Sequence, residues 1–527
     1  MPTTDLTTRP EPLPTPQDLV EEMARLKAEN QWLKEPLGLA KHRLFAPSTE
    51  KTPVGQEAML FNEAEACAAP EVTEPQMETL TYTRRKKVAG QRELNLAGLP
   101  IEEILYDLPE AQRVCPQCEG HLHEMGADVR TEVKIIPATL VVVKPVRPQY
   151  TCRHCQKEAI KTPVLTAPMP TPAFPNSLAS PSAVAHIMVQ KFVEGSPLYR
   201  QEQGFARLGF SLSRQTMANW MLVGADWLKP LYARLKVHLL KRDIAHADET
   251  TLQVLKEAGR APQSTSYLWL YRSGREDPPI VLFDYQTTRA GEHPRAFLKG
   301  FGGYLHVDGY VGYEGLTGVT LVGCWAHARR KFLEAIQVLP APERKKGRTT
   351  AHQGLDFCNQ LFDIERDLRE VSPEARLVGR EPRSRAVMDK FRLWLDTVSV
   401  SALPKSKLGE AITYCLNQWP KLQGFLRDGR LELDNNRSER SIKPFVIGRK
   451  NWLFANTPAG ARASATIYSL IETAKENGLN PFPYLIYLFE QLPNIDRKNA
   501  EAVDALLPWS EAVQAHCRIP KKPTRPA

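Results

Sequence analysis

The period of the apolar positions changes several times along the chain, and each change marks a segment. Over residues 19–44 it is a heptad, with Leu19, Leu26, Leu33 and Ala40 on one seam position and Met23, Asn30, Leu37 and Leu44 on the other. This predicts an N-terminal helix or short coiled coil over 15–45, in which Asn30 would fix register. Pro36 breaks or kinks it, and an amphipathic helix docked on its own domain has the same pattern. Residues 46–98 lack periodicity. They are rich in Pro, Glu and Thr up to Glu78 and then carry Arg84-Arg85-Lys86-Lys87, so they read as a flexible linker with a basic run. Residues 99–165 are short-stranded, with β-branched residues concentrated between Val133 and Val146. A helical pattern fills 176–240. Period-two and buried-strand patterns follow at Ile244–Val254, Tyr267–Tyr271, Ile280–Asp284, Tyr304–Val307 and Val319–Trp325, with one helix at Glu292–Gly300. From Ala326 helices dominate.

The close spacing of the first three strands argues for a mixed sheet in a three-layer α/β core. Five strands with a helix after the third is also the order of the RNase H fold. The expected class is therefore multidomain α/β plus α. With 527 residues, 42% hydrophobic and 24% charged, the chain is long enough for several cores and is no disordered, collagenous or disulfide-scaffold protein. Its net charge of +9 is uneven: residues 1–80 carry −7, leaving +16 on the rest. A basic body suits a polyanion such as nucleic acid, and equally a soluble surface. The start, Met1-Pro-Thr-Thr-Asp-Leu, lacks the basic and apolar regions of a secretory signal. No run approaches the ~18 apolar residues of a membrane span. Nine cysteines, scattered except for two C-x-x-C pairs, suit a reducing cytoplasm.

Those pairs, Cys115-Pro-Gln-Cys118 and Cys152-Arg-His-Cys155, lie 33 residues apart and supply four thiolates, the donor set of a structural zinc site. A hairpin within 133–150 would bring them together, and His121, His123 and His154 are substitute ligands. A zinc ribbon can bind DNA or only hold a fold.

Residues 198–226 have the pattern of a helix-turn-helix: Leu198–Leu208, a turn at Gly209, and a second helix capped by Ser213. Phe205, Leu208, Met217 and Trp220 would pack the pair, and Arg214, Gln215 and Asn219 would face a major groove. A plain helical hairpin has the same pattern.

Three acids stand where a sheet would present them. Asp248 lies inside the first strand, Asp308 ends the fourth, and Glu439 opens a helix in Leu433-Asp-Asn-Asn-Arg-Ser-Glu-Arg-Ser. Singly each has a plain role: Asp308-Gly309 is a turn dipeptide, and Asn436 with Glu439 makes a capping box. Together they suggest a carboxylate set for hard cations, and two ions roughly 4 Å apart serve in-line phosphoryl displacement. Basic residues crowd these acids: Arg329, Arg330 and Lys331 in Gly323-Cys-Trp-Ala-His-Ala-Arg-Arg-Lys-Phe332, and Arg437, Arg440, Lys443, Arg449 and Lys450 around Glu439. His327 would move a proton, contact phosphate, or simply pack near its helix end.

These segments, with Leu44-Phe-Ala-Pro-Ser-Thr-Glu-Lys51, Ala247-Asp-Glu-Thr250, Val307-Asp-Gly-Tyr310, Asp434-Asn-Asn-Arg-Ser-Glu-Arg440 and Gly448-Arg-Lys-Asn-Trp-Leu-Phe454, resemble transposases of the insertion sequence 66 family from about Leu19 to Pro493. The resemblance implies a DDE transposase with an RNase H-like core and catalytic acids Asp248, Asp308 and Glu439. It implies Mg²⁺ (or Mn²⁺) at those acids and Zn²⁺ at Cys115, Cys118, Cys152 and Cys155. The interval of 131 positions from Asp308 to Glu439 then implies a helical insertion over 335–430. That insertion divides the core into 241–334 and 431–465, followed by a C-terminal helical element over 466–508 and a tail over 509–527. Implied partners are double-stranded DNA (terminal inverted repeats and target), accessory proteins of the same element, and further copies of the chain on DNA. The implied location is the bacterial cytoplasm, at the nucleoid when DNA-bound. A DNA-binding regulator with a non-catalytic core shares these parts, as does an RNase H-like nuclease that cuts without joining.

Overall fold

Gln149–Thr151 pairs antiparallel with Val164–Thr166 in a short ladder that ends one residue before Cys152. The computed structural model describes residues 139–153, 164–275 and 278–520, plus the isolated positions 23, 101, 103, 113, 117 and 157. The heptad as a helix, the linker, Cys115, Cys118, Cys155, His121, His123, His154 and residues 521–527 lie outside the described residues. Residues 139–148 are exposed and belong to no strand. Among the described residues, then, the ladder's first strand starts at Gln149, at the end of the expected 133–150 hairpin, and its second strand lies beyond it. It belongs to a small unit separate from the one formed by 168–518.

In the larger unit three helices come first: α1 (Pro181–Phe192), α2 (Leu198–Arg207) and α3 (Arg214–Leu240). Ser180 and Ser213 cap α1 and α3, each hydroxyl accepting an N–H three residues on. Such a cap contributes about 1 kcal/mol. Gly209 makes the turn between α2 and α3 with φ +79°, a region that glycine occupies without steric cost. Phe205, Met217 and Trp220 pack the pair as the pattern predicts, but Leu208 is 52% exposed and Leu212 is buried instead. The chain leaves α2 one residue early, which rotates Leu208 outward.

The sheet follows: β1 (Ile244–Gln253), β2 (Thr265–Ser273), β3 (Val281–Gln286), α4 (Glu292–Phe297), β4 (Tyr304–Val307) and β5 (Thr320–Gly323). Its order is β3-β2-β1-β4-β5. β1 to β3 are antiparallel neighbours, whereas β4 lies parallel to β1 and β5 parallel to β4. The expected mixed sheet is thus present, with each strand within about two residues of the pattern.

β2 and β3 are buried along nearly their whole length because helices cover both faces. Tyr271 stacks on Phe297 of α4, with ring centres 3.9 Å apart. On the opposite face Phe283 meets Phe445 and Tyr468. Each such side chain contributes roughly 1.5–3 kcal/mol by leaving water. The edge of β3 is closed by hydroxyls: the Phe283 N–H donates to Ser469 Oγ (2.8 Å) and the Val281 N–H to Thr473 Oγ1 (3.0 Å). These bonds satisfy the groups that make an open edge sticky.

α5 (Trp325–Gln337) leaves β5 and leads to α6 (Ala341–Lys346), α7 (Thr350–Asp367), α8 (Pro373–Ser399) and α9 (Lys407–Leu422). Trp325, Phe332, Phe391 and Trp419 form a separate core with Val322 of β5. The chain then returns to the sheet as α10 (Asn436–Trp452) and α11 (Pro458–Glu476), and closes with α12 (Pro481–Gln491), α13 (Ala500–Asp504) and α14 (Glu511–Cys517). Among the described residues no helix is long and apolar enough to cross a membrane.

Candidate active site

Parallel pairing of β1 with β4 sets the geometry. Ile244 lies opposite Tyr304, Ala245 opposite Leu305 and His246 opposite His306. The pairing ends there; Asp248 and Asp308 each stand two residues further along the chain, Asp248 on the His246 face of β1 and Asp308 just past β4, near enough for the Asp308 charge to act on the Asp248 carboxyl. Neighbouring strands lie roughly 4.8 Å apart. The two imidazoles, one step behind the acids, stack with ring centres 4.3 Å apart. β1 and β4 both read His-x-Asp, a repeat the sequence displayed and the motif reading passed over.

Glu439 reaches this face from the first turn of α10. α10 is locked there by Asn435, which is 1% exposed. Asn435 Nδ2 donates to the Ala247 carbonyl (2.9 Å), Oδ1 bonds His246 Nδ1 (2.8 Å), and its backbone N–H donates to Cys324 Sγ (3.2 Å). One residue thus joins β1, the entry to α5 and α10. The capping box expected of Asn436 is absent: α10 begins at Asn436, whose N–H and side-chain amide both bond Asp434. The helix starts one residue earlier than that motif requires.

Buried charges complete the seat. Arg272 of β2 donates to Ser441 Oγ, the Arg437 carbonyl and Glu476. Arg437 pairs in turn with Glu432, whose carboxylate lies 3.5 Å from His246 Nε2.

Each acid has fixed neighbours. Asp248 Oδ1 accepts the Glu249 N–H (2.9 Å), and Asp308 Oδ1 accepts the Tyr310 N–H (2.9 Å). Tyr414 of α9 donates to the Asp308 carbonyl (2.9 Å). The next residue, Gly309, has φ +102°, and a Cβ there would crowd Gln418 and Tyr414. Glu249 points to the other face, held by Arg289 and by the Tyr313 hydroxyl (2.6 Å). Glu439 faces His327 Nε2 (3.8 Å) and Arg330 Nη2 (3.6 Å) of α5.

Burial, then the Glu249 charge, and further the charges of Asp308 and Glu439 push the Asp248 carboxyl up to about 8. Asp434 is pushed up to about 6, chiefly by burial. His327 is lowered by burial and by Arg330, and its buried Nδ1 has no hydrogen-bond partner among the described residues. Mutually repelling carboxylates offer the hard oxygen donors that Mg²⁺ prefers. As they stand, no group of three or more His, Cys, Asp or Glu among the described residues could hold a metal ion.

The basic side chains divide. Arg330, Arg440, Lys443 and Lys450 are exposed. Arg329 donates to Asn359 of α7 (2.8 Å), Lys331 lies over the Tyr414 ring, Arg437 holds Glu432, and Arg449 reaches Thr250 and Thr251 of β1. On α3, Arg214, Gln215 and Asn219 are exposed; Gln215 donates to Asn219 (3.1 Å) and Arg214 lies over Tyr199.

A mixed-sheet α/β core with one acid inside β1 and another just after the parallel strand β4, met by a helix bearing a third acid and exposed cations, is the class of protein that the structure defines. The sequence narrows the class. Residues 176–463 match the family described as Transposase IS66 family, 112–156 the zinc-finger binding domain of transposase IS66, 469–509 the IS66 C-terminal element, and 32–104 the transposase C of IS166 homeodomain. The chain is similar to the uncharacterized proteins y4jD and y4hP of Sinorhizobium fredii. With y4jD it is 33% identical over 81% of this chain and 84% of that protein; with y4hP, 32% over 76% and 74%. The chain belongs to the IS66 family of transposases.

Proposed function

We propose that this transposase is of the DDE type, with an RNase H-like core, and that Asp248, Asp308 and Glu439 are its catalytic acids. The observation that supports the reading is that the charges of Asp308, just past the strand parallel to β1, and of Glu439 both act on the Asp248 carboxyl. The strand order and the raised Asp248 carboxyl support it as well.

The three carboxylates would hold Mg²⁺ (or Mn²⁺), which supplies Lewis-acid charge at a phosphodiester and eases deprotonation of the attacking hydroxyl. The chain's own residues position and neutralise. Arg330, 3.6 Å from Glu439, offsets its charge. His327, in the first turn of α5 with its Nε2 3.8 Å from Glu439, is poised to take or give a proton there. Arg440, Lys443 and Lys450 track the backbone, and the bonds of Asn435 keep α10 at one angle to β1. Cleavage at an element end leaves a 3′-hydroxyl, and that hydroxyl attacks target DNA in a second in-line displacement. The attacking group is an oxygen each time, so one acid set serves both steps.

Arg214, Gln215 and Asn219 at the start of α3 would read the ends. Cys115, Cys118, Cys152 and Cys155 would hold a structural Zn²⁺; Cys152 is half-buried directly after its strand. Copies of the chain would assemble on DNA with accessory proteins of the same element.

The test is divalent-metal-dependent cleavage of element-end DNA and joining of pre-cut ends to target. Wild type is expected to do both, and Asp248→Ala, Asp308→Ala and Glu439→Ala neither. Cleavage surviving in all three variants refutes the assignment, and cutting without joining would make the protein a nuclease.

A further inference from the structure

The last turn of α10 ends in a conformation that leucine seldom takes. Leu453 has φ +64° and ψ −50°, a region disfavoured for any side chain with a Cβ. Its side chain is 63% exposed, and that of Phe454 is 42% exposed. This is no frayed end. The Leu453 N–H donates to Arg449 O (2.7 Å) and the Phe454 N–H to Trp452 O (2.8 Å). The next residues are bonded to the end of β1 through Ala455 N–H to Gln253 O, Leu255 N–H to Ala455 O and Lys256 N–H to Asn456 O. Two apolar side chains are therefore held out in water by a backbone pinned on both sides. Strain maintained in this way, with both side chains left exposed, is characteristic of ligand contacts.

The same helix indicates the ligand. Spacings of four and seven residues put Glu439, Lys443 and Lys450 on one face of α10, with Arg440 beside them, and the three cations are exposed. From Glu439 to Leu453 a helix rises about 21 Å, at 1.5 Å per residue. One strand of DNA spaces its phosphates about 3.4 Å apart, so the stripe covers roughly six nucleotides.

We propose that Leu453 and Phe454 form an apolar wedge against which a base of the element-end DNA unstacks, about six nucleotides from the phosphodiester at Glu439. Lys443, Lys450 and Arg440 hold the intervening backbone. Wedges of this kind distort a duplex so that more of its backbone meets the protein. The proposal rests on the DNA-cleaving reading above and adds a second contact to it.

The experiment uses the full-length chain, without divalent cation, on duplexes bearing the terminal repeat, with thymines placed four to eight nucleotides from the cleavage position. The readout is permanganate reactivity. Wild type is expected to raise reactivity fivefold or more at one thymine near position six. Leu453→Gly combined with Phe454→Ala should return it to the level of naked duplex, with affinity falling no more than about threefold. Gly accepts the positive φ, so this variant should melt no lower than wild type; Phe454→Ser alone, at an exposed position, is the second variant. Reactivity persisting in both variants overturns the wedge. So does its absence from a wild-type complex that cleaves once Mg²⁺ is added, an outcome that leaves the transposase reading intact. If the variants alter only the sedimentation of the protein, the turn is a contact between copies and the wedge is refuted. If wild type neither binds nor cleaves element ends, both readings fall.

Discussion

Substituting Asp248 by Asn tests whether three acids distant in sequence share one patch of space. Asn keeps the oxygen that accepts the Glu249 N–H and removes the charge. In the metal-free protein the Asp248 carboxyl is pushed up to about 8, by burial first and then by Glu249, Asp308 and Glu439. Between roughly pH 4 and 8 the unfolded chain has lost this proton while the folded chain retains it. Rising pH therefore destabilises the wild-type fold, by about 1.4 kcal/mol per unit at most. From pH 5.5 to 7.5 the loss is roughly 2–3 kcal/mol, and Asp248→Asn does not suffer it. The compact unit spans residues 168–518. At about 2 cal/mol/K per residue, its melting temperature should respond by roughly 3–4 °C. The variant, compared with wild type by differential scanning fluorimetry in chelator, should gain that much on going from pH 5.5 to 7.5. Adding Mg²⁺ at pH 7.5 should raise the melting temperature of wild type and leave that of the variant nearly unmoved. A difference between the two proteins that stays flat with pH would mean that Asp248 is neither buried nor crowded by the other acids, and the site as described would be wrong.

The same proton gives cleavage a pH dependence: because metal must displace it, the rate at limiting Mg²⁺ should climb up to tenfold per pH unit toward about 8 and then level off. Asn435→Ala leaves every acid in place but frees α10, and a shift of about 1 Å there should cost on the order of 10²-fold in cleavage rate. Asn435→Ala should bind end DNA within about threefold of wild type in a mobility-shift titration; a loss of binding that matches the loss of rate would refute a positioning role. Arg380 is fully buried with five hydrogen bonds, to Glu365 twice and to the Phe425, Asp428 and Leu431 carbonyls. Arg380→Ala should cost about 3–5 kcal/mol, measured by denaturant titration. Elemental analysis should find about one zinc per chain, lowered by Cys152→Ser, as the four-thiolate reading requires.

Much of the core was legible because buried strands advertise themselves: β1 to β5 lie within about two residues of the runs read from sequence, and α2 and α3 start where Leu198 and the Ser213 cap predict. Helix phase was less legible. In Arg329-Arg330-Lys331 composition offers three equal cations, yet Ala328 and Phe332 are buried, and that phase turns Arg329 onto Asn359 and leaves Arg330 outward. A one-residue slip in a helix boundary changed two further readings. It moved the burden of packing from Leu208 to Leu212, and it made Asn435, rather than Asn436, the residue that faces the sheet. Such slips lie within the uncertainty of any boundary drawn from pattern, yet each reverses the role of a side chain.

The polar seat under α10 was the least legible part, and its chemistry explains why it is polar at all. Glu439 stands 131 residues from Asp308, with α5 to α9 folded between them. An apolar contact between α10 and β1 would hold the helix down while tolerating a small slide or rotation, since cores accept volume-conserving repacking. Hydrogen bonds are directional, and a buried donor left unpaired is costly. Asn435 on His246 and Ala247, Arg272 on Ser441 and Arg437, and Arg437 on Glu432 can be satisfied together in only one register of α10. That register brings Glu439 near enough to β1 for its charge to act on Asp248. Period and propensity do not encode such a network, because each member reads in sequence as an ordinary surface residue until the fold has buried it.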